Sequence, residues 1–243
     1  MQFGLIGKSL KHSFSADFFT KKFEELQLDY KYDLFELDNI TEFENLCLEK
    51  KLRGLNVTIP YKQTIIPFID ELSPEARAIG AVNTIIFSEG KMIGHNTDVA
   101  GFELSLTHFF QKNQAKKAVI LGDGGAAKAV AFVLHKMGFE FLIISRKKDQ
   151  NTIGWNELTK DMVKEFPLWI NTTPVGNFPN INEILPLPYN NFSNQNFYFD
   201  LIYNPAKTAT AIQLEAQDVV VKNGLEMLYA QAEKSWELWM RKD

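Results

Sequence analysis

Residues 122–127 read Gly-Asp-Gly-Gly-Ala-Ala, directly after the apolar run Ala118-Val119-Ile120-Leu121 and before an alanine-rich stretch. This fits G-x-G-x-x-A. In such a turn one small residue allows the tight bend, one admits a pyrophosphate close to the backbone, and one lets helix and strand pack. The free N–H groups of the following helix then face the phosphates. Gly122, Gly124, Gly125 and Ala126 are therefore candidate dinucleotide contacts; the competing reading is a purely structural glycine turn. A second chemical signal lies at the end of the next apolar strand, where Ser145-Arg146-Lys147-Lys148 stands in place of the acid that usually holds unphosphorylated ribose hydroxyls. Arginine grips a 2′-phosphate bidentately and neighbouring lysines add charge, which favours NADP. A solvated basic turn is the alternative, and Asp149 just beyond keeps NAD open. Asp123 is out of place beside a pyrophosphate, which would repel it; it either points to solvent or caps the turn.

A third signal is "GLNVTIPYK", Gly54 to Lys62. Leu55, Val57 and Ile59 alternate with Asn56 and Thr58, the period of a half-buried strand. Its polar face carries an amide and a hydroxyl, Pro60 ends the run, and Lys62 follows. The pattern suits an edge strand with a solvated tail, or the wall of a site that ends in a catalytic amine. On the residues alone both readings stand.

The elements that must position these groups can be read from periodicity. In the first hundred residues strand and helix signals alternate: "MQFGLIG" as a strand, "SADFFTKKFEELQL" as a helix with Ser15 placed to cap it, "YKYDLFEL" as a strand and "NITEFENLCLEK" as a helix. "SPEARAIG" follows, with Ser73 as N-cap and Pro74 in the first turn. "AVNTIIFSEGKMIGHNTD" reads as a hairpin closing at Glu89-Gly90, then a loop. Beyond Asp98 an amphipathic segment, Val99 to Gln111, leads to a βαβ unit around the glycine turn, whose uniformly apolar strands suit a parallel sheet. Short strands follow at "LWINTTP", "FYFDLIY" and "DVVVK". The last segment, "GLEMLYAQAEKSWELWM", is helical, with Leu225, Leu228, Ala232, Trp236 and Trp239 on its apolar side. The expectation is an α/β chain of two domains joined by helices around a cleft: residues 1–98 plus 223–243, and a Rossmann-like domain over 99–222.

Composition narrows the class. The 243 residues are 45% hydrophobic and 23% charged, as in an ordinary globular protein. A net charge of −4, with no basic run longer than a few residues, argues against a nucleic-acid partner. One cysteine, Cys47, makes neither an intramolecular disulfide nor a zinc cluster, and no His, Cys and carboxylate set has metal-ligand spacing. No apolar run reaches the ~20 residues of a membrane span, and the start lacks a signal-peptide pattern. A cytoplasmic setting, a small-molecule partner and a monomer or homodimer are expected.

Nine short motifs stand in order: "HSFS", "NVTIPYK", "GAVNT", "NTD", "LGDGGAAKAV", "SRK", "NTTPVG", "DLIYNP" and "NGLEMLYAQAEKSWELW". Along almost its whole length the chain resembles the shikimate dehydrogenase family. The resemblance implies NADPH-dependent, reversible reduction of 3-dehydroshikimate to shikimate, on the route to chorismate and the aromatic amino acids. It implies that Ser13 and Ser15 hold the substrate carboxylate, and that Asn56, Thr58, Asn83 and Gln231 bind ring hydroxyls. Lys62 and Asp98 match the catalytic pair and also touch substrate. Tyr203 borders the cleft. The cofactor side takes the glycine turn with Ser145, Arg146, Lys147, Thr172, Ile202, Gly224 and Met227.

The chain departs from the family pattern at Ser9 and Ala16, where prolines are common, and at Gln150, where a further arginine is usual. The last leaves the strength of the NADP preference open. Reducing a ketone needs a hydride from the cofactor and a proton on oxygen; Lys62 would donate the proton while Asp98 orients it. The plain alternatives are an interdomain ion pair for Lys62 and Asp98, helix capping for Ser13 and Ser15, a half-exposed helical amide for Gln231, and turn residues at Asn83 and Thr84. Rival functions are a quinate/shikimate dehydrogenase using NAD or NADP, a non-catalytic NADP-binding module, and another two-domain reductase with the same cofactor fold.

Overall fold

Chain order alternates strand and helix almost throughout. The computed structural model describes residues 1–11, 13–110, 115–146 and 150–241. His12, Lys147, Lys148 and Asp149 lie outside the described residues, and so does the cofactor role expected for Lys147.

Residues 1–100 together with 231–243 form one compact unit, and residues 101–230 another. The first division falls close to Asp98; the second falls within the last helix rather than before it. In the first unit the order is β1 (Gln2–Gly7), α1 (Phe14–Glu25), β2 (Lys31–Glu36), α2 (Phe43–Glu49), β3 (Leu52–Val57), α3 (Tyr61–Thr64), β4 (Glu71–Leu72), α4 (Pro74–Ile79), β5 (Thr84–Ser88) and β6 (Lys91–His95). The sheet runs β2-β1-β3-β5-β6-β4. β1 is parallel to both β2 and β3, whereas β3, β5 and β6 are successively antiparallel. The Glu89-Gly90 hairpin is present: both residues have positive φ, 49° and 76°, the backbone of a tight two-residue turn.

Two local expectations need correction. Ser15 does not cap α1. Ser13 is the N-cap, its Oγ accepting the Ala16 N–H at 3.4 Å, and Ser15 sits inside the first turn. The alternation through Ile59 also stops early. β3 ends at Val57, α3 starts at Tyr61, and Ile59 is 77% exposed while Leu55 and Val57 are buried. Nor is the polar face of β3 plain surface, because Asn56 is buried.

Two apolar clusters hold this unit. Ile6, Leu55, Val57, Tyr61, Ile65 and Ile85 fill one side of the sheet. On the other, Phe3, Phe19, Phe23 and Tyr32 pack with Ala232 and Trp239 of the closing helix. Trp239 is fully buried, donates its indole N–H to the Ile85 carbonyl at 3.0 Å, and lies over Gly54, where an added Cβ would meet its Nε1 at 2.2 Å.

In the second unit the order is α5 (Asp98–Phe109, which begins in the first unit), β7 (Lys117–Leu121), α6 (Gly125–Lys136), β8 (Glu140–Ser145), β9 (Ile153–Gly154), α7 (Lys160–Glu165), β10 (Leu168–Asn171), β11 (Phe197–Asp200), α8 (Ala209–Glu215), β12 (Val220–Lys222) and α9 (Leu225–Trp239, which ends in the first unit). All pairings are parallel and the sheet order is β12-β11-β10-β7-β8-β9. Counted from β7 this is the 3-2-1-4-5-6 doubly wound order of dinucleotide-binding folds, with its switch point between β7 and β10. Val119, Leu121, Trp169, Tyr198 and Leu214 are buried in its core. On α9 Ala232 and Trp239 are buried and Trp236 packs beside them as expected, but Leu225 is exposed, and Met227, Ser235 and Leu238 are buried as well.

Candidate active site

In the first unit several of the expected substrate residues converge through hydrogen bonds. Lys62 stands on α3, where Pro60 has stopped the strand and turned the chain. Its Nζ reaches Asp98 Oδ2 at 2.7 Å, and both side chains are partly solvent-accessible. The other oxygen, Oδ1, accepts the Asn83 side-chain N–H at 2.9 Å. Asn83 is itself fixed, because its Oδ1 accepts the Thr97 backbone N–H at 2.7 Å. Both carboxylate oxygens of Asp98 are thus engaged, and among the described residues Lys62 uses one of its three donors.

Behind this pair lies a buried polar layer. Asn56 Nδ2 donates to Ser235 Oγ at 3.0 Å, Thr84 Oγ1 at 3.2 Å and the Asn83 carbonyl at 3.3 Å. The hydroxyls of Thr84, Thr97 and Ser235 lie within 2.9–3.2 Å of one another. Thr97 also donates to Gln231 Oε1 at 3.4 Å, which brings Gln231 to the same cluster. On the far side Tyr32 donates to Asn56 Oδ1 at 2.8 Å, and the Ser15 side chain lies near the same phenol. Burial drives the Tyr32 phenol's pKa up, against the influence of Ser15, so it stays a neutral donor.

Asn56, Lys62, Asn83, Asp98 and Gln231 are therefore joined in one network, with Ser15 near its Tyr32 end. Ser13 and Thr58 are not. Ser13 Oγ caps α1, and Thr58, just past β3, has no side-chain hydrogen bond among the described residues. Ser235, Thr97 and Tyr32 were not singled out from sequence. Ser235 lies one helical turn beyond Gln231, a spacing that could have flagged it.

The residues expected to bind the cofactor, Lys147 aside, lie in the second unit, at the carboxyl ends of its strands. Gly122 has φ of +109°, and a Cβ there would meet Thr172 Oγ1 at 2.8 Å, so glycine is needed on two grounds. Thr172 pins that crossing: its backbone N–H and its hydroxyl both donate to the Leu121 carbonyl, at 2.9 and 2.8 Å. Around Gly124 and Gly125 there is open space. Gly124 caps α6 without a side chain, so no side-chain cap takes up the first N–H groups of the helix. The residues fit a pyrophosphate at this place.

Ser145 is buried at the end of β8 and Arg146 after it is exposed. Asp123 is exposed, as one expectation had it, and its Oδ2 accepts the Ser145 hydroxyl at 2.7 Å.

At the end of β11, Asp200 is a buried carboxylate that sequence reading passed over. It accepts from Asn171 at 2.9 Å, Thr208 at 2.7 Å, Tyr198 at 3.3 Å and the Ile202 backbone N–H at 3.1 Å. Burial raises its pKa against these bonds. It thereby fixes the segment carrying Ile202, which is buried, and Tyr203, which is partly exposed. Gly224 packs on that segment: its N–H donates to the Ile202 carbonyl at 3.1 Å, and a Cβ would meet the Leu201 carbonyl oxygen at 2.1 Å. Met227 follows in the first turn of α9, buried. Among the described residues no group of His, Cys, Asp and Glu could hold a metal ion, and no helix is long and apolar enough to cross a membrane.

Residues 5–85 match the family model of the shikimate dehydrogenase substrate binding domain. The NADP(+)-dependent shikimate dehydrogenase of Desulforamulus reducens is 35% identical, over 97% of this chain and 88% of its own. Among solved structures, a shikimate 5-dehydrogenase of Listeria monocytogenes in complex with shikimate and NAD has a TM-score of 0.89 at 29% identity, covering 100% of this chain and 92% of that one. One from Thermus thermophilus in complex with NADP(H) and shikimate has a TM-score of 0.86 at 30% identity, covering 99% and 93%. With a relative matched along nearly all of both sequences, and a substrate-domain match spanning Asn56, Lys62 and Asn83, the chain belongs to the shikimate dehydrogenase family.

Proposed function

We propose that this protein is an NADP-dependent shikimate dehydrogenase, reducing 3-dehydroshikimate reversibly to shikimate for chorismate and aromatic amino acid synthesis. The observation that carries the reading is the Asp98 carboxylate, which holds Lys62 at 2.7 Å and Asn83 at 2.9 Å in front of a polar layer. A non-catalytic module has no need of such a pair. The first unit serves as the substrate module and the second as the cofactor module. The single cysteine fits a reducing, cytoplasmic setting.

The hydride is the chemistry a bound nicotinamide cofactor supplies. The chain's own residues handle position and the proton. Lys62 hydrogen-bonds the substrate's carbonyl oxygen, polarises it, and gives it a proton as charge develops there. Asp98 stabilises the ammonium and fixes its direction, and Asn83 fixes Asp98. The neutral amine left on Lys62 regains a proton from solvent before the next turnover. In the reverse direction Lys62 accepts the proton from the alcohol. Thr58, Gln231 and Asn83 take ring hydroxyls, and Ser13 and Ser15 the carboxylate. Gly122, Gly124, Gly125 and Ala126 cradle the pyrophosphate, Arg146 with Ser145 binds at the ribose phosphate, and Thr172, Ile202, Tyr203, Gly224 and Met227 border the nicotinamide end.

Steady-state rates with shikimate and quinate, each with NADP and with NAD, test the proposal. The highest kcat/KM is expected for shikimate with NADP. A preference for quinate would make the protein a quinate dehydrogenase, and no turnover with any pair would overturn the enzyme reading.

A further inference from the structure

Asp123 occupies the second position of the glycine turn, next to the place of a pyrophosphate that would repel it. β7 and β8 are adjacent parallel strands with Leu121 opposite Ile144. The residues leaving their ends therefore come side by side, and Asp123 Oδ2 accepts the Ser145 hydroxyl at 2.7 Å. Ser145 is 2% exposed, so this partner is held in place. Asp123 itself is exposed, and among the described residues its Oδ1 carries no hydrogen bond.

In this fold the end of the second strand is where adenosine ribose is read: an acid takes its hydroxyls, an arginine its 2′-phosphate. Here that strand ends in Ser145 with Arg146 next, and a carboxylate arrives at the same spot from the neighbouring turn. Resting on the reading of the second unit as the cofactor module, we propose that Asp123 is a specificity-determining residue. Buttressed by Ser145, its free oxygen accepts the ribose 2′-hydroxyl of an unphosphorylated dinucleotide. The same charge opposes the 2′-phosphate that Arg146 attracts, since a phosphomonoester carries roughly −1.5 to −2 at pH 7. The two side chains read one ribose position with opposite sign, so the protein binds NAD as well as NADP.

The test is calorimetric titration of the full chain with NADP+ and with NAD+, without substrate, so that no turnover enters the readout. The unaltered protein binds both. Asp123→Asn, which keeps an acceptor for Ser145 but removes the charge, shifts the ratio of the two Kd values toward NADP+ by about tenfold, roughly 1.4 kcal/mol. Asp123→Ala shifts it in the same direction, and Ser145→Ala does so more weakly. Binding of both dinucleotides with a ratio that moves less than about threefold, or toward NAD+, in both Asp123 variants overturns the inference alone. Failure of the unaltered protein to bind either dinucleotide overturns it together with the cofactor reading.

Discussion

Asp98 divides its two oxygens between an ammonium and an amide, those of Lys62 and Asn83. The ion pair sits at a partly exposed surface, where such pairs add little to stability, so its removal is expected to show in rate. Lys62→Ala should lower turnover by more than about tenfold, above ~1.4 kcal/mol of barrier, with little change in the unfolding midpoint. A smaller loss in steady-state assays with shikimate would refute the role. Ser235 is the opposite case. Its hydroxyl is buried and serves Asn56, Thr84 and Thr97 while donating to the Gln231 carbonyl at 3.0 Å. Ser235→Ala should cost about 1 kcal/mol, read in denaturant unfolding. Lys62, Asn83 and Asp98 were legible because they stand in short, spaced motifs. Ser235 was not, since its partners come from three other segments and a serine on a helix face reads as surface. Asp123 was noticed but not understood, because its partner belongs to the next strand.

At the scale of elements, two glycines hold positions where nothing larger fits. Gly54 lets Trp239 lie on β3, and Gly224 lets the start of α9 lie on the Leu201 backbone. A tryptophan ring has some room to shift, a backbone much less. Gly54→Ala should therefore destabilise by about 1–3 kcal/mol, seen as a lower thermal midpoint. Gly224→Ala should weaken NADP+ binding as well, because the Ile202 segment must move; unchanged affinity in a titration would disprove that link. The parallel sheet was legible because strands buried on both faces are uniformly apolar. The glycine turn was legible because its spacing follows a strand and opens a helix. The elements α3, α7, β4 and β9 were not, since four to six residues of helix or two of strand carry no measurable period. Ile59 misled because it carries the alternation of Leu55 and Val57 two residues past the end of β3, just before Pro60.

Over the whole molecule, pH acts through groups whose ionisation differs between folded and unfolded chains. Burial first, then the charges of Arg241 and Lys234, lowers the His95 pKa, opposed by Glu75. The unfolded chain then binds more protons near the ordinary histidine pKa of about 6.5, and stability must rise with pH there. Its effect is absent above that pKa and grows as a penalty as pH falls below it. Replacing His95 with Gln should flatten the fall in thermal midpoint between pH ~7 and ~5.5. An unchanged slope would assign that dependence to other groups. Glu226 acts in the same sense, at lower pH. Burial pushes its carboxyl up, but Lys222, His108 and Ser105 together hold it at about 2. The stability it lends is present above the ordinary glutamate range and is lost as pH falls toward that value.

Trp239, Ser235 and Ala232 complete the core and polar layer of a unit whose sheet lies in residues 1–100, and all three come from the far end of α9. During synthesis the ribosome must deliver the whole of residues 101–230 before they emerge. The second unit is contiguous and can close as soon as it is out. The first cannot, and until then Phe3, Phe19 and Phe23 wait without the indoles of Trp236 and Trp239 that pack on them. Birth order and folding order are thus reversed, and the nascent chain's longest exposure of aromatic surface falls on the segment made first.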